Sequence, residues 1–79
     1  MYFVYILQSE KDKTFYTGFS EDLDQRIQNH NWHLSKYTSA KAPYKLRWYG
    51  AFQDKKRALD FEKYLKSSSG FAFRNKHLV

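Results

Sequence analysis

Tyr5 and Tyr16 stand eleven residues apart in Val4-Tyr5-Ile6 and Tyr16-Thr17-Gly18, and Arg26, His30 and Glu62 follow along the chain. Two phenols beside a guanidinium, an imidazole and a carboxylate can make a site that cleaves phosphodiesters. Such a site needs a proton acceptor, a positive grip on phosphate oxygens and a hard ligand for a metal ion. Each residue also has an ordinary reading. Seven tyrosines in 79 residues make a shared sheet face common, and cross-strand aromatic pairs stabilise sheets by up to about 1 kcal/mol without any function. A lone histidine facing inward is more often a hydrogen-bonded core residue. Glu62 is harder to dismiss. It falls in the same helical stripe as Ala58 and Leu65, where a carboxylate is costly unless paired or metal-bound. Lys66, one turn on, is the simplest partner.

The elements that must position these groups follow from apolar periodicity. Tyr2 to Gln8 is apolar on both faces, the mark of a central strand covered on two sides. Ser9-Glu10-Lys11-Asp12-Lys13 is a polar turn, and Thr14 to Phe19 is a second strand rich in β-branched and aromatic residues. A hairpin loop of about four residues sets Tyr5 opposite Tyr16. Ser20 is the expected N-cap of a helix from Glu21 to His33, with Glu21 and Asp22 in its first turn. Leu23, Ile27, His30 and Leu34 form its inward stripe, with Arg26 at the edge one turn before His30. Residues 35–44 carry no period and read as a loop. Lys45 to Phe52 reads as a third strand, with Leu46, Trp48 and Phe52 on one face. Asp54 caps a second helix to about Ser67, ended by Gly70 in the left-handed conformation, and Phe71 to His77 forms a short last helix. The order β-β-α-β-α-α predicts an α+β fold, a three-stranded antiparallel sheet flanked by helices in a single domain over 1–79.

Composition narrows the partner. The net charge is +6, which in a small domain points to an anion, most often nucleic acid. No cysteine is present, which rules out disulfides and thiolate metal sites and fits a cytoplasmic setting. The opening apolar run stops at Gln8, too short for a bilayer span, so no membrane association is expected.

Taken in order and spacing, Val4-Tyr5, Tyr16-Thr17-Gly18, Arg26 with His30, and Glu62 resemble the GIY-YIG nuclease superfamily, over nearly the whole chain. The stretches Tyr16-Thr17-Gly18-Phe19-Ser20-Glu21-Asp22-Leu23 and Glu62-Lys63-Tyr64-Leu65-Lys66 look typical of its small stand-alone bacterial members, the YhbQ-like or UPF0213-like proteins. The resemblance implies a DNA-cleaving domain with one divalent metal. Tyr5 and Tyr16 correspond to the motif tyrosines, Arg26 to the helix arginine, His30 to the residue one turn on, and Glu62 to the metal ligand. Asn75 is the candidate for a C-terminal asparagine often present in these sites. The chain departs from the pattern at Phe3-Val4-Tyr5, which lacks the motif glycine, at Thr17 in place of isoleucine, and at Phe19 in place of a lysine.

A single carboxylate suits Mg²⁺ or Mn²⁺ that keeps several waters and binds phosphate. Arg26 suits a bidentate grip on phosphate oxygens. A free phenol has a pKa near 10, so Tyr16 as base, by family analogy, needs a neighbouring cation, and His30 is the alternative. The backbone contacts are expected from Lys36, Lys41, Lys45, Arg47, Lys55 and Lys56, with Tyr37, Tyr44 and Trp48 as stacking surfaces for unpaired bases. The expected activity is a metal-dependent DNA endonuclease, structure-selective or weakly sequence-specific, with branched or single-stranded DNA as partner, a role in repair or recombination, and a monomeric state. The competing expectation is a non-catalytic nucleic-acid-binding module on the same fold.

Overall fold

β-Branched and aromatic residues fill two runs, over 2–6 and 14–19, and these pair as strands. The computed structural model describes residues 1–31 and 43–79, with His30 described through its backbone only. The expected end of the first helix at His33, the loop over 35–44 up to Ala42, and Leu34, Lys36, Tyr37 and Lys41 lie outside the described residues. Strand β1 (Tyr2–Ser9) is central, between β2 (Phe15–Ser20) and β3 (Tyr44–Phe52), and both pairings are antiparallel. Helix α1 (Leu23–Asn31) follows β2, and α2 (Lys55–Leu65) follows β3. Helix α3 (Ser68–Phe73) runs on into a π-helical turn over Arg74–Leu78.

Both faces of β1 are covered, as its lack of alternation predicts. Val4 and Ile6 are buried with Ala58 and Leu65, under α2 and the C-terminal elements. Tyr5 and Leu7 are buried on the other face with Tyr44, against Leu23 and Ile27 of α1. An aromatic chain joins the first face, from Trp48 and Phe52 onto Phe61 at 5.8 and 5.6 Å, then to Tyr64 and Phe73.

Local chemistry accounts for the boundaries and for three departures from expectation. Asp54 caps α2, its Oδ1 accepting from the Lys56 amide at 2.9 Å. Helix α1 is capped by Asp22, not Ser20. The Asp22 carboxylate accepts from the Gln25 amide at 3.0 Å, while the Ser20 hydroxyl accepts from Asp22 N–H at 3.0 Å and shapes the turn before it. Gly70 is not left-handed; no glycine has positive φ among the described residues. Ser67 caps a new helix there, accepting from the Gly70 amide at 3.2 Å. A Cβ on Gly70 would approach the Leu65 Cα to 2.7 Å and the Tyr64 carbonyl closer still, so the glycine is needed for α3 to lie against the end of α2.

The third departure is in β3. Register shifts between Ile6 and Leu7, so that Ile6 faces Trp48 while Leu7 faces Leu46. Arg47 is the extra residue of a β-bulge. Leu46 therefore packs with Tyr5 and Leu7, on the face opposite Trp48 and Phe52. Strict alternation put all three together.

Candidate active site

Tyr5 is 1% exposed and pairs with Gly18 on the edge strand β2. Its ring lies across that glycine. A Cβ on residue 18 would come within 2.9 Å of Tyr5 Cε2 and nearer still to Cζ and Oη. The glycine of Tyr16-Thr17-Gly18 is thus the space into which the other motif's phenol extends. Tyr16 pairs with Leu7, and its ring centroid is 6.3 Å from that of Tyr5. The tyrosines are diagonal neighbours rather than directly opposite. The connection between Ser9 and Phe15 holds five residues, with Lys13 at φ 66°, and the register moves by two positions. A shift of two keeps both phenols on one face. The turn is held by Ser9 Oγ, which accepts from the Lys11 and Asp12 amides at 3.1 and 3.2 Å, and by Asp12 Oδ1, which accepts from Thr14 N–H at 3.1 Å.

Burial pushes the Tyr5 phenol well above the ordinary tyrosine range; Tyr16 and Glu62 push it further, and Arg26 pulls it back. One phenol therefore senses charge from β2, α1 and α2 together. Arg26 is exposed on α1, one residue before Ile27, which anchors the helix on the Tyr5 cluster. Glu62 comes from the helix whose buried residues, Ala58 and Leu65, belong to the opposite face. Its side chain is only 19% exposed, and Oε2 accepts from Lys66 Nζ at 3.2 Å. Lys66 is the partner expected one turn on, and its own side chain is 54% exposed. The His30 backbone lies on α1 one turn past Arg26. Asn75 is exposed in the final turn, and its Oδ1 accepts from Arg74 Nε and Nη2 at 3.2 and 3.0 Å.

Two aromatics expected to stack on bases take part in the interior, one fully and one in part. Tyr44 is 7% exposed inside the Tyr5 cluster. Burial first, then Asp12 and Tyr16, raise its phenol above the ordinary tyrosine range, and Tyr16 packs against the same cluster. The Asn31 side-chain amide bonds both the N–H and the C=O of Tyr44, tying the end of α1 to the start of β3. Trp48 is half-buried against Phe61. Tyr44 is closed to bases, and Trp48 keeps only part of its surface exposed. The signal for Tyr44 was its place next to Lys45 and two residues before Leu46, an apolar position continuing the strand backwards.

Among the basic residues, Lys45, Arg47 and Lys55 are exposed. Lys56 pairs with Asp60 at 3.0 Å, with side chains 83% and 64% exposed, a contact of little energy that a phosphate displaces easily. A groove of about 360 Å³ between α1 and β3 is lined by Phe3, Leu23, Tyr49 and the acidic residues Glu21, Asp22 and Asp24. Its charge makes it unsuited to a phosphate backbone. No group of three or more His, Cys, Asp or Glu is placed to hold a metal among the described residues. Glu62 alone suits an ion that completes its shell with water and phosphate oxygens, the habit of Mg²⁺.

Residues 1–76 match the family model described as the GIY-YIG catalytic domain. A UPF0213 protein of Clostridium perfringens, CPE1444, is 40% identical over 67 residues, 84% of this chain and 71% of that protein. The UPF0213 protein BH0048 of Halalkalibacterium halodurans is 38% identical over 69 residues, 86% of this chain and 72% of its own length. The solution NMR structure of BH0048 superposes with a TM-score of 0.59 at 32% identity, covering 96% of this chain and 84% of that one. Among the described residues, no helix is long and apolar enough to cross a membrane.

Proposed function

This chain belongs to the GIY-YIG catalytic-domain family, and on that premise we propose that it hydrolyses DNA phosphodiesters with one bound Mg²⁺ or Mn²⁺. The observation that carries the reading is the single phenol, Tyr5, buried over Gly18 and coupled to Tyr16, Arg26 and Glu62 from three other elements. Leu7 and Leu46 in the same cluster carry no polar group, whereas Tyr5 brings a hydroxyl into it.

Roles follow from environment. Tyr5 keeps its proton at any physiological pH because burial disfavours the phenolate. It serves as a hydrogen-bond donor to a phosphate oxygen or to the attacking water. Tyr16 is half-buried and open to solvent on one side, which suits the base, with His30 as the alternative acceptor. Arg26 is exposed, so its guanidinium is free to take two phosphate oxygens in a planar fork. Glu62 would hold the cation in place of Lys66. The cation would supply Lewis-acid stabilisation of the phosphate charge. Exposed cations without base-reading elements give weak sequence preference, so DNA shape selects the target, as at the branched intermediates of repair and recombination.

The test incubates the purified protein with branched and single-stranded DNA in Mn²⁺, beside Glu62→Gln. Nicking that needs the metal and falls by about 10²–10³-fold in the variant supports the enzyme. Equal nicking by both proteins, or none by either, removes it. A second reading, a nucleic-acid-binding module without catalysis, is favoured by the Glu62–Lys66 pair, since a carboxylate already neutralised has less to offer a cation. Salt-sensitive binding with no nicking identifies that case.

A further inference from the structure

Arg74 is the one charged residue among the described residues that is buried, at 8% exposure. Its guanidinium carbon lies 4.7 Å from the centroid of the Phe15 ring and 4.5 Å from that of Phe71. Nε and Nη2 both donate to Asn75 Oδ1. No carboxylate stands within ion-pairing distance of it, since the ion pairs of the described residues join Lys56 to Asp60, Arg57 to Asp54 and Lys66 to Glu62. No buried side-chain nitrogen or oxygen there lacks a hydrogen-bond partner, and Nη1 makes no bond to protein, so that edge reaches water. A second cation converges on the same ring. Arg47, carried by the β-bulge, sits 5.9 Å from the Phe15 centroid, and its Nη1 donates to Gln8 Oε1.

This is an expensive arrangement for a fold to hold. A buried cation is normally matched by an anion. Two guanidinium groups around one ring lie within about a Debye length of each other, roughly 10 Å at 0.1 M salt, and they repel. Contacts with the Phe15 and Phe71 rings, and the Asn75 amide oxygen on Nε and Nη2, restrain the Arg74 guanidinium and leave Nη1 unbonded by protein. Such a fork presents its donors to an oxyanion.

We propose that Arg74 and Arg47, aligned by Phe15, Phe71, Asn75 and Gln8, form a second phosphate-binding site that holds the nucleic-acid backbone outside the cleavage site. Phe15 directly precedes Tyr16 on the edge strand β2, and the two side chains lie on opposite faces. A strand gripped here passes around the β2 edge before it meets the phenols. Each DNA strand carries a phosphate for every 3.4 Å or so of helix axis, so two guanidinium groups around one ring can engage the same stretch of backbone. Asn75 thereby acts as a positioning residue for Arg74. The proposal rests on the nuclease reading for the identity of the anion, and it does not need the bond to be cut.

The test measures binding of fluorescent single-stranded and duplex DNA in EDTA across a salt series, for wild type, Arg74→Gln, Arg74→Lys, Arg47→Gln and Asn75→Ala. For duplex DNA the slope of log K against log salt is expected to shrink by about 0.9 for each arginine removed, with affinity down roughly tenfold. Arg74→Lys keeps the charge but not the fork, so its slope is retained while its affinity falls. Asn75→Ala falls less than Arg74→Gln. Circular dichroism confirms the fold; if Arg74→Gln is unfolded, Arg74→Lys and the exposed Arg47→Gln decide. Unchanged slope and affinity in those variants, or no DNA binding by the wild type, overturn the proposal. Because metal is absent, a protein that binds through Arg74 yet never nicks DNA sinks the nuclease reading alone, and one that nicks DNA with Arg74 variants unaffected sinks this site alone.

Discussion

The two faces of β1 use the same strand for different ends. On one face Val4 and Ile6 meet Ala58, Leu65 and a chain of aromatic rings, in a cluster with no polar group among its buried members. On the other, Tyr5 and Tyr44 are buried with Leu7, and each phenol is coupled to other titratable groups. The first face obtains stability from apolar area removed from water. The second gives up part of that gain by burying hydroxyls, which must then be satisfied. The glycines mark the same division. Gly70 makes room for backbone, so that α3 can approach α2, whereas Gly18 makes room for a phenol. A fold of this size has little stability in reserve, so two phenols buried in one cluster point to use.

That contrast can be broken by substitution. The largest effect on folding is expected from the apolar face. Leu65→Ala, at a side chain 1% exposed, should cost about 2–5 kcal/mol in urea unfolding, while the folded fraction nicks and binds DNA as before. Loss of activity beyond loss of folded protein would show that the faces are not separate. A smaller cost, about 1–3 kcal/mol for overpacking, is expected from Gly18→Ala, because the new methyl meets the Tyr5 ring. Here nicking should fall by more than the stability loss accounts for, and Tyr5→Phe, which leaves the ring, should not restore it. Equal activity in Gly18→Ala would remove Tyr5 from the site.

The smallest effect is in pH. The folded Tyr5 phenol titrates above its unfolded value near 10. Above that pH the unfolded chain has released a proton that the folded chain still holds. Stability is thus fully present below about pH 10 and declines as pH rises past it, by at most about 1.4 kcal/mol per pH unit for one group. Tyr5→Phe should flatten that decline in melts between pH 9 and 11, with the part due to Tyr44 remaining. An unchanged slope would mean that Tyr5 is hydrated.

Much of this was legible in the residues. Apolarity on both sides of Tyr2 to Gln8 announced a central strand, and Asp54 announced α2, because each signal depends on neighbours a few positions away. Asp22 displaced Ser20 as cap, because both side chains can accept from a nearby amide and the turn gives the Asp22 amide to Ser20 and the Gln25 amide to Asp22. Glu62 was visible as a carboxylate in an apolar stripe, and its pair with Lys66 was foreseeable at one helical turn.

Local pattern could also place Tyr5 and Tyr16 on one face, since a strand turns its side chains over with every residue whatever the loop does in steps of two. It could not reveal that Phe15 and Phe71, fifty-six positions apart, would close on Arg74, nor that a bulge at Arg47 would send Leu46 and Trp48 to opposite faces. Register, bulges and contacts between distant segments are set by how the whole chain fills its interior. No single stretch contains that information, because the partner that makes each choice favourable is supplied only when the other elements have packed.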